Sequence, residues 1–151
     1  MTAPVSPLVL DLPNCGSPGN GLCTGGQPPA DQLREAQRRG FRTVINLRPQ
    51  SEQTDFDEAA FVASLGLRYI HIPISGPGDL TSDNARKLAN ALGEAGDGAT
   101  LIHCLSGNRV GALFALKARF LDGLDVEAAL AVGRSAGLKA MEPVVRQILS
   151  A

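Results

Sequence analysis

Apolar positions along the chain follow two alternating rhythms. Short compact runs, "GLCTGG" (21–26), "TVINL" (43–47), "YIHIPI" (69–74) and "ATLIHC" (99–104), predict buried strands. Between and after them the apolar spacing becomes helical: "PPADQLREAQRRGF" (28–41), "DFDEAAFVASLG" (55–66), "SDNARKLANALGEA" (82–95), "RVGALFALKARFLDG" (109–123), "DVEAALAVGRSAG" (125–137) and "LKAMEPVVRQILS" (138–150). Punctuation residues agree. A proline suits the first turn of the first helix, Asp31 suits its positive end and Gly40 its stop. Phe56, Ala60, Val62 and Leu65 offer a core face for the second helix. Pro73 limits the third strand, and Thr81 or Ser82 is the expected N-cap of the third helix.

Strands alternating with helices predict an α/β fold, a mainly parallel sheet of four or five strands flanked by helices, with a C-terminal helical layer. Residues 1–20, rich in Pro, Gly and Asn, read as an irregular arm carrying the apolar piece "LVLDL". Residues 21–151 read as one domain without an internal repeat. At 151 residues such a chain buries roughly 70% of its unfolded surface.

Composition narrows the partners. Hydrophobic residues make up 44% and charged residues 19%, a globular balance with no membrane-spanning run. Lys+Arg number 14 against 15 Asp+Glu, and there is one Tyr and no Trp, so no surface for nucleic acid is expected. The first residues lack a basic segment and Pro7 breaks the apolar stretch, which gives a cytoplasmic expectation. Cys15, Cys23 and Cys104 form no even disulfide set. A Cys15–Cys23 bridge stays open across the flexible "GSPGNGL", but two incidental thiols are the plainer reading. Cys15, Cys23, His71, His103 and Cys104 show no paired-ligand spacing, so no metal and no cofactor are expected.

The chemistry concentrates in "IHCLSGNRVGALFAL" (102–116). Cys104 ends a strand just before a helix begins, which is where open α/β sheets bind ligands. Backbone N–H groups of Leu105, Ser106, Gly107, Asn108 and Arg109, with those of the new helix, can converge on one anion. Gly107 permits the required backbone angles, and Arg109 adds a cationic fork suited to a tetrahedral oxyanion. The same surroundings favour the thiolate of Cys104, the form that acts as a nucleophile. Arg48 follows another strand's carboxyl end and either flanks the pocket or makes a surface ion pair. His71 alternates with apolar residues and is assigned no chemistry.

"HCLSGNR" resembles the active-site loop of cysteine-dependent tyrosine and dual-specificity phosphatases, His-Cys-x5-Arg. "GGQPPADQLREAQRRGFRTVINLRP" looks like the amino-terminal half of the phosphatase-like domain of bacterial beta-lactamase-hydrolase-like proteins; similar domains occur fused to NAD kinases. With "GGQP", "INLRP" and "HCLSGNR" as landmarks, the resemblance covers residues 20–150. It implies a dual-specificity-phosphatase-like fold, catalytic roles for Cys104 and Arg109, and a loop-ordering role for His103.

Two departures from that pattern matter. Arg109 is five positions after Cys104, not six, and Val110 stands at the sixth. The Cys-x4-Arg length matches the loop of rhodaneses, which accommodates a persulfide. Phosphoester cleavage also needs a general acid. Near Pro73, where the resemblance places that acid, stand Ser75 and Gly76; Asp79 and Asp83 come later, and Asp79 is the candidate. These departures give first place to a sulfurtransferase working through a Cys104 persulfide, taking sulfur from thiosulfate or a persulfide and passing it to a thiol acceptor. The alternative is a phosphatase with a phosphocysteine intermediate. The third reading is a non-catalytic anion- or phosphoprotein-binding module.

Overall fold

The computed structural model describes residues 10–19, 21–53, 56–96 and 98–151. Residues 1–9 and 20 of the expected arm, and Asp55 of the second expected helix, lie outside them. Strands β1 (Leu22–Gly25), β2 (Phe41–Asn46), β3 (Arg68–His71) and β4 (Ala99–His103) form one sheet in the order β1-β4-β2-β3. All three neighbouring pairs are parallel. Helices α1 (Ala30–Arg38), α2 (Glu58–Ser64), α3 (Ser82–Ala95), α4 (Asn108–Phe120), α5 (Val126–Ser135) and α6 (Glu142–Ser150) cover it. The α/β architecture with a C-terminal helical layer is as the pattern predicts, with four strands among the described residues.

Local signals account for most boundaries. Thr81 caps α3, its hydroxyl accepting the Asn84 N–H at 3.2 Å. Asp31 lies in the first turn of α1, whereas Pro29 sits one position earlier than expected, as the N-cap. Short 3₁₀ turns at Gln50–Glu52 and Pro77–Asp79 follow β2 and β3.

Side chains along the strands alternate between two apolar layers. Val44 and Leu101 join Leu33, Ala36 and Val62 under α1 and α2. Ile45 and Ile102 join Leu88, Leu113, Leu130 and Leu149 under the other helices. Extending that alternation past Ile102 sends His103 toward α2 and Cys104 toward α4. Helix α4 is the centre of the second layer, buried from Val110 to Leu116. It passes so close to the α5–α6 connection that a Cβ on Gly111 would lie 2.2 Å from the Leu138 backbone nitrogen.

Helix α2 departs from expectation. Of the predicted core face only Val62 is fully buried; Ala60 is exposed, Leu65 is partly covered and Phe56 is 39% exposed. The second buried position of the helix is Glu58, one turn before Val62. A buried carboxylate costs several kcal/mol unless paired. It is paired, with His103, which accounts for a buried polar position on the face that Val62 also occupies.

Candidate active site

The carboxyl ends of β1, β4 and β2 stand side by side, so the segments "GGQPP", "HCLSGNR" and "LRPQSE" leave the sheet together. Backbone bonds hold them in contact: Cys104 N–H to Gly25 O at 3.2 Å, Leu47 N–H to His103 O at 2.8 Å, and Gln27 N–H to Leu105 O at 3.0 Å. Three segments distant in sequence become one rim.

Cys104 has no exposed surface and packs beside Ile102 and Val110. It lies deeper than the open nest expected from sequence. Its sulfur accepts the Gly107 N–H at 3.0 Å. Gly107 has φ +90°, the left-handed region, and is the N-cap of α4. The Leu105 carbonyl bonds outward to Gln27, and the Ser106 carbonyl bonds outward to Asn14 Nδ2 at 3.1 Å. A trans peptide sets its N–H opposite its C=O, so the N–H groups of Ser106 and Gly107 point to the inside of the loop. Asn14 also donates to Gly137 O at 2.8 Å, and Asn108 Oδ1 accepts the Lys139 and Met141 N–H groups at 2.8 and 3.3 Å. Asn108 therefore braces the loop from outside; Leu105, 53% exposed, forms its outer face.

Arg109 is held by three bonds. Nη1 donates to Glu52 Oε2 at 2.9 Å and to Ile74 O at 2.8 Å; Nη2 donates to Glu52 Oε1 at 2.9 Å. A guanidinium has five N–H donors, so two remain, and the nearby Cys104 helps hold the group in its cationic form. Burial works against this cation, but Glu52 and Cys104 outweigh it and raise its pKa. Arg109 in turn holds the Glu52 carboxyl below the usual carboxylate range.

The polar contacts continue in a circuit. Arg48 Nη2 donates to Glu52 O at 2.5 Å, and Nη1 donates to Gln27 Oε1 at 2.7 Å. Gln27 Nε2 donates to Glu58 Oε1 at 2.7 Å. Glu58 Oε2 lies 2.6 Å from His103 Nε2, and His103 Nδ1 lies 3.2 Å from Cys104 O. Arg48 thus lines the pocket and also pairs with Glu52, Nε lying 3.4 Å from Oε1. His71 supports it by a 2.6 Å contact of Nε2 with Arg48 O. Gln27, Arg48, Glu52 and Glu58, with Pro28, Pro29 and Phe56, line a cleft of about 370 Å³ beside the loop.

Asp79 sits on the β3–α3 connection, whose Ile74 carbonyl is the one that Arg109 grips. Its Oδ2 accepts the Ser75 N–H at 2.8 Å and its carbonyl accepts Asn84 Nδ2 at 2.7 Å. No hydrogen bond among the described residues joins it to Cys104. Cys15 and Cys23 are free thiols with sulfurs 3.8 Å apart. No three His, Cys, Asp or Glu among the described residues form a metal-holding group, and no helix among them is long and apolar enough to cross a membrane.

The structure brings the sequence candidates Cys104 and Arg109 into one loop and adds Asn14, Glu52 and Glu58, which the sequence reading did not single out. Gln27 and Glu52 lay within or beside quoted segments without a role. Glu58 had a faint signal, its one-turn spacing from Val62.

The family described as beta-lactamase hydrolase-like protein, phosphatase-like domain, matches residues 20–120. Beta-lactamase hydrolase-like proteins of Xylella fastidiosa and Agrobacterium fabrum are 35% and 31% identical over 107 and 106 residues, 68% of this chain. The match spans 24% of those relatives, about a quarter of their length. Among solved structures, Pseudomonas aeruginosa TpbA is similar with a TM-score of 0.68 at 21% identity, covering 96% of this chain and 91% of its own. TpbA has also been crystallised with pTyr. Kinase associated phosphatase gives a TM-score of 0.68 at 15% identity, covering 99% of this chain and 94% of its own. The shared fold is that of dual-specificity and tyrosine phosphatases.

Proposed function

We propose that this chain, which belongs to the phosphatase-like domain family of beta-lactamase hydrolase-like proteins, is a cysteine-dependent phosphoric monoester hydrolase. The observation that carries the reading is the tie between Arg109 and Ile74 O. It ties the guanidinium proposed to hold the anion to the connection that carries Asp79, the candidate proton donor. Family membership moves hydrolysis ahead of sulfur transfer, which the loop spacing and the lack of an acid beside Pro73 placed first.

In the first step the Cys104 thiolate attacks phosphorus, an S–P bond forms and the ester P–O bond breaks. Asp79 gives its proton to the departing oxygen. Arg109 and the inward N–H groups of the loop hold the three remaining phosphoryl oxygens. In the second step Asp79, now a carboxylate, takes a proton from water as that water attacks phosphorus. The S–P bond breaks, releasing inorganic phosphate and the thiolate.

One observation favours a second reading. Arg109 follows Cys104 by five positions, and fully buried Val110 occupies the sixth. This shorter loop fits a persulfide: the thiolate takes the outer sulfur of thiosulfate, sulfite leaves, and a thiol acceptor removes the sulfur. Neither reading calls on nucleic acid or a membrane.

Parallel assays separate them. Steady phosphate release from p-nitrophenyl phosphate, abolished by Cys104→Ser, supports the hydrolase. Thiocyanate formation from thiosulfate and cyanide without phosphate release transfers the assignment to sulfur. Tight sulfate binding with neither turnover leaves an anion-binding module.

A further inference from the structure

Two acceptors face the two nitrogens of the His103 ring. Nδ1 lies 3.2 Å from the Cys104 carbonyl and Nε2 lies 2.6 Å from Glu58 Oε2. A neutral imidazole has one N–H and can serve one of them. The other oxygen of Glu58 already accepts from Gln27 Nε2. Gln27 cannot be turned round, because its own oxygen accepts from Arg48, which can only donate. Donor and acceptor roles therefore run without ambiguity from Arg48 inward to Glu58. One more proton must lie between Glu58 and His103 than a carboxylate and a neutral ring would carry.

The surroundings place that proton on the ring. Glu58 accepts a second bond, from Gln27 Nε2, on its other oxygen. The pair is buried, His103 fully and Glu58 to 2% exposure, so an imidazolium is stable there only beside a carboxylate. We propose that Glu58 holds His103 as an imidazolium and is thereby a positioning residue for Cys104, setting the Cys104 carbonyl and placing a buried cation on the residue that precedes it. The same carboxylate reaches Arg109 through Gln27, Arg48 and Glu52, so it braces both ends of the loop. Of the other ionisable groups, Tyr69 and Asp57 lie on the α2–β3 side of Glu58, and Cys104 adjoins the ring.

The protonation state can be read without any substrate, independently of the hydrolase reading. The chain has two histidines, so ¹⁵N spectra of the labelled protein, with His71→Gln for assignment, resolve the His103 ring. The expected result near neutral pH is an N–H on both ring nitrogens of His103; a single N–H overturns the proposal. Glu58→Gln supplies the second test. A glutamine can donate to Nε2 and accept from Gln27, so every bond survives with a neutral ring. In that variant the pH midpoint for iodoacetamide alkylation of Cys104, read on its own peptide, rises by about one unit, a tenfold slower reaction below it. An unchanged midpoint with a neutral ring defeats the positioning role. Should Glu58→Gln not fold, the wild-type spectra still decide.

Discussion

Glu52 holds Arg109 with both carboxylate oxygens, one on each terminal nitrogen, at 2.9 Å apiece. This two-pronged contact fixes the plane of the guanidinium, and the bond to Ile74 O fixes its rotation. In the proposed reaction, Glu52 orients the anion holder and touches no substrate.

Replacing Glu52 with Gln removes one of the two oxygens, so the guanidinium keeps the bond to Ile74 O but loses the two-pronged contact that sets its plane. The expected loss in kcat/KM is about 10²-fold, the cost of a misplaced binding group. Steady-state kinetics beside a melting curve check it. The variant also loses part of the acid sensitivity of folding. Arg109 lowers the Glu52 pKa in the fold, so the pair stabilises above the ordinary value of 4.5 and that contribution fades as pH falls through the lower folded value.

Asp79→Asn isolates proton donation from loop structure, since an asparagine oxygen still accepts the Ser75 N–H. With a poorly leaving alkyl phosphate, kcat falls by about 10²-fold or more, and with an activated aryl phosphate much less. An equal loss on both substrates would assign Asp79 to the loop and not to the chemistry. A pH profile of each substrate supplies the comparison.

Gly111→Ala tests the packing that seats the loop. The new methyl group would lie 2.2 Å from Leu138 N and 2.7 Å from Gly133 O, both backbone atoms with little room to move. A loss of about 3 kcal/mol is expected from denaturant unfolding. Gly93→Ala, where a Cβ meets nothing within 4 Å, is the control and is expected to cost nothing.

Cys23 contributes to alkaline unfolding. Burial, then the neighbouring Cys15, push its thiol from 9.0 up to about 12. The unfolded chain thus gives up this proton first as pH rises. The contribution is whole below pH 9.0 and is lost between there and about 12. Tyr69, raised by burial, adds to the same trend. Cys23→Ala is expected to flatten the fall of unfolding free energy with pH over that interval.

How much of this was legible beforehand depended on the range of the interaction. The strands and helices were, because periodicity is local: "TVINL" and "ATLIHC" lie within Phe41–Asn46 and Ala99–His103 to within a residue or two. The candidates Cys104 and Arg109 came forward because loop, glycine and arginine are contiguous. Glu58 was not, since its partner is 45 positions away and reaches it only after α2 packs on the sheet. Glu52 was hidden likewise, 57 positions from Arg109. Asn14 lies 123 positions from Gly137 in a segment read as irregular. The strand alternation that aims His103 at α2 was available from "TLIHC", but which charged residue waited there was not.

The central claim is that Cys104 carries a phosphoryl group during turnover. Rapid acid quenching of the protein during reaction with an aryl phosphate, followed by intact and peptide mass measurement, tests it directly. The account predicts one phosphoryl group on the Cys104 peptide, absent from Cys104→Ser and accumulating in Asp79→Asn on an activated substrate. An unmodified Cys104 in the presence of steady phosphate release would contradict it, as would a single added sulfur from thiosulfate in a protein that releases no phosphate.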